Sequence, residues 1–233
     1  MLKKILFGAL TVLFALSVIG CGGGDKKDDG AAKKEEVKVE GSADKAVLAY
    51  AQLYAYGVIE DENQAAAGMT EADIEKVQEQ VIQPLVDAFK QYPLSEESVA
   101  TMTAQYIEKL HTAMDIKATV KTEDKEHPVV ELKATTIDQA GAAKVAETNT
   151  DLVALGTAYG ELQAQGLTSE QLMESPEFQQ CALESIDKFI NEFPLNPEAT
   201  LEVTCKAVEG SDGKMYWAPQ DPEAVAKFVT GQK

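Results

Sequence analysis

Two hydrophobic periods divide the chain. From Ser42 to about Gly57, Val47, Tyr50, Ala51 and Tyr54 recur at helical spacing, and Gly57 offers a stop. Thr70 with Asp73 forms a capping-box pattern that opens a second helix carrying Ile74, Val77, Val81 and Leu85. Pro84 inside it predicts a kink or a break. A third helix follows Pro93 and Ser95, with Val99, Met102, Tyr106, Ile107 and Leu110 on one side. The period then shortens to two. Ala118, Val120 and Thr122 alternate with charged or hydroxyl neighbours, as do Val130, Leu132 and Ala134 beyond a connection at Asp124 to Pro128. Leu201, Val203, Cys205 and Ala207 repeat the alternation, the run Glu209 to Gly213 is a hairpin turn, and Met215 and Trp217 lie on a last strand.

This pattern predicts an α+β fold with a four-stranded antiparallel sheet, charged on one face and covered by helices on the other. A long helical insertion from Asp138 to about Phe193 separates strands two and three. In it Val145, Thr148, Leu152, Leu155, Tyr159 and Leu162 form a short heptad-like seam. Ser175-Pro176 starts a helix bearing Phe178, Cys181, Ala182, Ile186, Phe189 and Ile190, and Asp221-Pro222 starts a closing one with Val225, Phe228 and Val229. Cys181 on a covering helix is thereby placed to meet Cys205 on the inner sheet face, so bonded and free buried thiols are both open readings.

The first residues change the picture from a fold to an address. Met1 to Lys4 is a short positive segment, Ile5 to Ile19 is apolar, and Val18-Ile19-Gly20-Cys21 closes it. The apolar run is shorter than the roughly 20 residues that span a bilayer, and the pattern is that of a secretory signal peptide over residues 1–20. The closing tetrapeptide resembles the bacterial lipobox, which implies cleavage between Gly20 and Cys21 and acylation of Cys21. Residues 21–41, rich in Gly, Lys, Asp and Glu, read as a disordered charged linker, and residues 42–233 as a single domain.

Composition narrows the partners. The chain contains no arginine, and loss of residues 1–20 leaves 19 lysines against 39 acids, a formal charge near −20. Nucleic acid is excluded on that basis, because phosphate binding rests on clustered Lys and Arg. No metal site is expected: His111 and His127 stand apart, and Glu60-Asp61-Glu62-Asn63 lacks the spacing of a calcium loop and reads as solvated. No Gly-x-Ser-x-Gly elbow occurs. An enzyme is not expected, and no cofactor is implied.

The lipobox, the Tyr50-x3-Tyr54-x2-Gly57 helix, the hairpin ending Val130-Glu131-Leu132-Lys133 and the terminal strand pair closing on Tyr216-Trp217 together resemble a family of uncharacterised lipoproteins of low-GC Gram-positive bacteria. Helices against a curved antiparallel sheet are also similar to cystatin-like and nuclear-transport-factor-like folds, which implies a cone-shaped cavity. Two functions follow as expectations. One is a non-catalytic protein-interaction module held on the outer face of the cell membrane through its acylated N-terminus. The other is a carrier of a small apolar ligand, in a cavity between sheet and helices lined by Leu132, Cys205, Met215 and Trp217. The anchor is directly testable: Cys21→Ser abolishes incorporation of a metabolic fatty-acid label, and label retained by that variant disproves acylation there.

Overall fold

The computed structural model describes residues 38–90 and 92–232; the signal segment, Gly20 and Cys21 lie outside them. Its centre is helix α1, Ala43–Tyr56. Ala43, Ala46, Val47, Ala49, Ala51, Leu53, Ala55 and Tyr56 are all buried, so this helix has neighbours on nearly every side. A helix apolar all round belongs inside a fold. Gly57 ends it in the left-handed region, at φ 74°.

Around α1 follow α2 (Asp61–Ala67), α3 (Glu71–Phe89), α4 (Glu96–Ala113), β2 (Ile116–Thr122) and β3 (Val129–Ala134). The insertion comprises α5 (Gln139–Thr148), α6 (Thr150–Ala164), α7 (Ser169–Met173) and α8 (Pro176–Asn191). The chain closes with β4 (Ala199–Glu209), β5 (Met215–Pro219) and α9 (Pro222–Val229). A short β1, Val39–Glu40, precedes α1.

The expected four-stranded antiparallel sheet is corrected here. The sheet has five strands in the order β1-β5-β4-β3-β2, is mixed and curls into a half-barrel. Its fifth strand is β1, which pairs parallel to β5 through Val39 with Met215 and Glu40 with Tyr216. Two residues at the end of a charged segment carry no alternation, so their pairing comes from backbone groups alone. β4 spans the two halves of the sheet. Ala199–Thr204 pairs with β3, and Cys205–Glu209 pairs with β5. The division into one charged and one apolar face holds, with Lys121 paired to Glu202 and Lys133 to Glu131 on the outside. Thr122 is the exception. The register shifts between Val120 and Thr122, and Thr122 faces Val129 on the outer side.

α1 packs against β2, β3 and β5 on the inner face and against α2, α3, α4 and α9 elsewhere. The insertion docks through α8 onto α4, with α6 and α7 behind it. Several ends form as the sequence implies. Thr70 and Asp73 make a reciprocal capping box, and Ser175 and Asp221 each cap a helix whose first residue is proline. α3 runs unbroken through Pro84. The seam of the insertion does not run through. Asn149 ends α5 and caps α6 by accepting from the Leu152 N–H, at 2.9 Å. Asp61 to Asn63, expected in a solvated loop, open α2 instead, and buried Asn63 donates to Gln52 Oε1 at 3.0 Å.

Close approach around α1 depends on small side chains. Gly68, at φ 61°, has the Tyr216 ring where any Cβ would project. Enlarging the core at α1 tests this: Ala49→Leu destabilises the fold by about 2 kcal/mol or more, whereas Thr119→Val on the exposed sheet face changes stability by under about 0.5 kcal/mol. Chemical denaturation of both variants measures the contrast.

Candidate functional site

The inner sheet face packs against α1 where a cavity was expected. Leu132 and Cys205 have no solvent exposure and belong to the same buried cluster as Val47 and Ala51 of α1. Met215 and Trp217 are half-buried, and Trp217 packs against both that cluster and a smaller one of Ala46, Ala49 and Ala67. The small residues expected to leave a cavity instead admit the alanine-rich α1. The cone-shaped cavity implied by the cystatin-like resemblance is filled by that helix.

The cysteines are separate and both free: Cys205 buried, Cys181 exposed on α8. Burial pushes the Cys205 thiol up to about 12, which keeps it protonated and inert at neutral pH. His127 Nδ1 lies 3.4 Å from the Cys205 carbonyl oxygen and 3.1 Å from Gln220 Nε2, holding the β2–β3 connection to the end of β5. His111 packs edge-on to Tyr56, with ring centroids 5.0 Å apart. Among the described residues no group of three His, Cys, Asp or Glu side chains is placed to hold a metal.

Outside the sheet, α3 and α4 diverge over α1 and leave an apolar cleft. Val81, Ile82 and Leu85 come from α3, and Tyr106, Ile107 and Leu110 from α4, with Tyr54 to Tyr56 of α1 as its floor. Its free space is about 30 Å³, room for about two waters. The Tyr106 ring is anchored by an edge-on contact with Phe193 at 5.6 Å, and Phe193 in turn meets Phe189 at 5.9 Å. The Tyr106 hydroxyl is buried and no protein group pairs with it. Burial drives its ionisation far above the usual phenol range, so it stays a neutral donor. A buried hydroxyl without a partner costs about 1–3 kcal/mol. The neighbouring polar groups are committed elsewhere: Thr230 Oγ1 donates to Ala226 O at 2.8 Å, and the Gln78 amide donates to Gly57 O at 2.7 Å.

The first half of α3, only partly covered on its inward stripe, is the second unusual surface. Ile74, Val77, Val81 and Ile82 are half-buried and belong to neither hydrophobic cluster. The helix is buried only near its end, at Leu85, Ala88 and Phe89. Sequence spacing placed Ile74, Val77 and Val81 on one stripe with Leu85, without showing how far a neighbour covers it. No periodicity announces an unpaired hydroxyl.

These features define a class by architecture: an α+β protein whose curled mixed sheet wraps a central helix, with an apolar cleft on the helical side. No family model and no curated protein matches the chain. Among solved structures it is similar to the crystal structure of YcdA, a provisionally assigned lipoprotein of Bacillus subtilis, at 13% identity and a TM-score of 0.47. That similarity covers 81% of this chain and 56% of YcdA, so the chain spans little more than half that protein's length.

The two thiols give a direct check on the site geometry. Iodoacetamide modifies Cys181 in the native protein at pH 8, and Cys205 reacts only after denaturation. Peptide mass mapping showing equal rates at both positions would disprove the packing described for β4.

Proposed function

We propose that the chain is a membrane-anchored extracytoplasmic lipoprotein that acts without catalysis, by docking a partner protein along the partly covered stripe of the first half of α3. Support for the anchor is the lipobox ending at Cys21, behind a positive and then apolar leader. Two acyl chains, at roughly 0.8 kcal/mol per buried methylene, hold a protein on a bilayer where one is marginal. The acidic domain is repelled from an anionic lipid surface, so it stands off the membrane on its linker.

The observation that carries the interaction reading is the half-buried stripe Ile74, Val77, Val81 and Ile82 on α3. It is bordered by Glu71, Asp73, Glu75, Glu79 and Asp87, against the single lysine Lys76 within the helix. An apolar strip with an acidic rim suits an amphipathic helix whose own apolar face is edged by lysine or arginine. Leu132 and Cys205, at zero exposure beneath α1, argue against the alternative of a ligand carried between sheet and helices.

Crosslinking in intact cells, followed by affinity recovery of the full-length protein, tests this reading. One partner is recovered, and its yield falls as ionic strength rises. Val77→Asp lowers recovery about ten-fold or more, because a charge placed in an apolar contact lacks compensation. Its thermal midpoint stays within a few degrees of the parent's, since Val77 is outside the core. Undiminished recovery with Val77→Asp would refute docking on this face.

A further inference from the structure

We infer that the cleft between α3 and α4 is a binding site for a slender, uncharged apolar molecule with one terminal oxygen, such as a short-chain alcohol, whose oxygen pairs with the Tyr106 hydroxyl. The site shares Val81 and Ile82 with the docking stripe proposed above, but its occupancy requires neither the anchor nor the protein partner.

Three observations converge on it. First, the Tyr106 hydroxyl is buried and unpaired while its ring is fixed against Phe193. A phenylalanine would fill the same space without leaving a polar group unsatisfied. Second, the walls beside it are apolar: Val81, Ile82 and Leu85 on one helix, Ile107 and Leu110 on the other. Apolar walls with one polar group suit a ligand that is apolar along its body and polar at one point. No lysine lines the cleft and the chain has no arginine, so a carboxylate there would be buried without a counter-charge. The head group is therefore neutral.

Third, one wall is built to give. Pro84 lies in the turn of α3 that supplies Val81, Ile82 and Leu85, and proline cannot donate to the carbonyl of Gln80. The half of α3 before it is only partly covered. A helix missing one hydrogen bond, and held before Pro84 through half-buried side chains and the Gln78 amide on Gly57 O, widens a 30 Å³ cleft by pivoting away from α4. The polar groove between α2 and the β4–β5 turn is a weaker candidate. Its Tyr216 and Asp212 bond to each other at 2.9 Å, and its Thr70 is committed to capping α3.

The probe is an alkyl alcohol carrying a photoreactive diazirine, applied to the full-length protein in phospholipid vesicles. Insertion is mapped by peptide mass spectrometry, with excess 1-hexanol as competitor. The expected result is insertion within residues 71–89 and 96–113, displaced by hexanol. Tyr106→Phe reduces it about five-fold, the effect of one neutral hydrogen bond, and leaves the thermal midpoint unchanged or raised. Ile107→Trp, which fills the cleft from its rim, abolishes insertion. Labelling that hexanol does not displace, or that both variants retain, overturns the proposal. So does a lowered midpoint in Tyr106→Phe without any competed labelling, because the hydroxyl would then serve a buried water and not a ligand.

Discussion

A helix buried over most of its surface dictates much of what surrounds it. α1 is buried along nearly its whole length, with five of its positions from Ala43 to Ala55 occupied by buried alanine. Alanine is the best helix former, so the segment favours its helical geometry while packing supplies most of its stability. Its small side chains let the sheet approach closely, but they contribute little apolar area each. The larger share of core burial comes from residues facing it, such as Leu132, Met102, Leu85 and Val225. The sheet must therefore curl to meet α1 along three strands, and a flat sheet would leave β2 or β5 without a partner. Gly68 beneath the Tyr216 ring, and the two-residue β1 beside β5, close the side of the half-barrel that α1 alone does not cover.

Elements with their own periodicity were legible in the sequence, and those depending on tertiary pairing were not. The Thr70–Asp73 capping box, the proline-initiated helices and the β4–β5 hairpin are local chemistry, and each stands where its residues imply. β1 was invisible because two residues cannot display a period of two. The shift at Thr122 was invisible because a bulge moves a side chain across the sheet without changing the sequence pattern. Cys181 illustrates a finer failure. At about 100° per residue, it sits roughly a quarter-turn from the centre of the stripe through Phe178, Ala182, Ser185 and Phe189. A stripe drawn generously took it in, while the packed helix leaves it outside.

The candidate site was misplaced for a related reason. Small residues on the sheet face were consistent with a cavity or with close helix packing, and composition cannot distinguish the two. Knowing that α1 is buried over most of its surface decides it: the alanines of the helix meet the small residues of the sheet, and the space is used. Space remains where two larger helices, α3 and α4, part over α1. Their apolar residues looked like ordinary core because helical spacing records which residues share a face, not how completely a neighbour covers that face.

The polar groups of this protein are otherwise well provided for. Asn63 meets Gln52 and Glu60, Asn196 reaches Thr136 and the Ile137 carbonyl, and Gln179 ties α8 to the residues before α4. Among the described residues only three buried side-chain atoms lack a protein partner, Asp44 Oδ1, Gln105 Oε1 and Tyr106 Oη. Asp44 and Gln105 belong to residues that still reach solvent, whereas Tyr106 is buried as a whole and faces the cleft. Packing accounts for its ring, through Phe193 and Phe189. Packing does not account for its oxygen. An uncompensated hydroxyl lowers stability by an amount comparable to a sizeable fraction of a domain's margin. Its position beside the helix that carries Pro84 in its interior, where the wall lacks one backbone hydrogen bond, makes the cleft and the oxygen parts of a single arrangement.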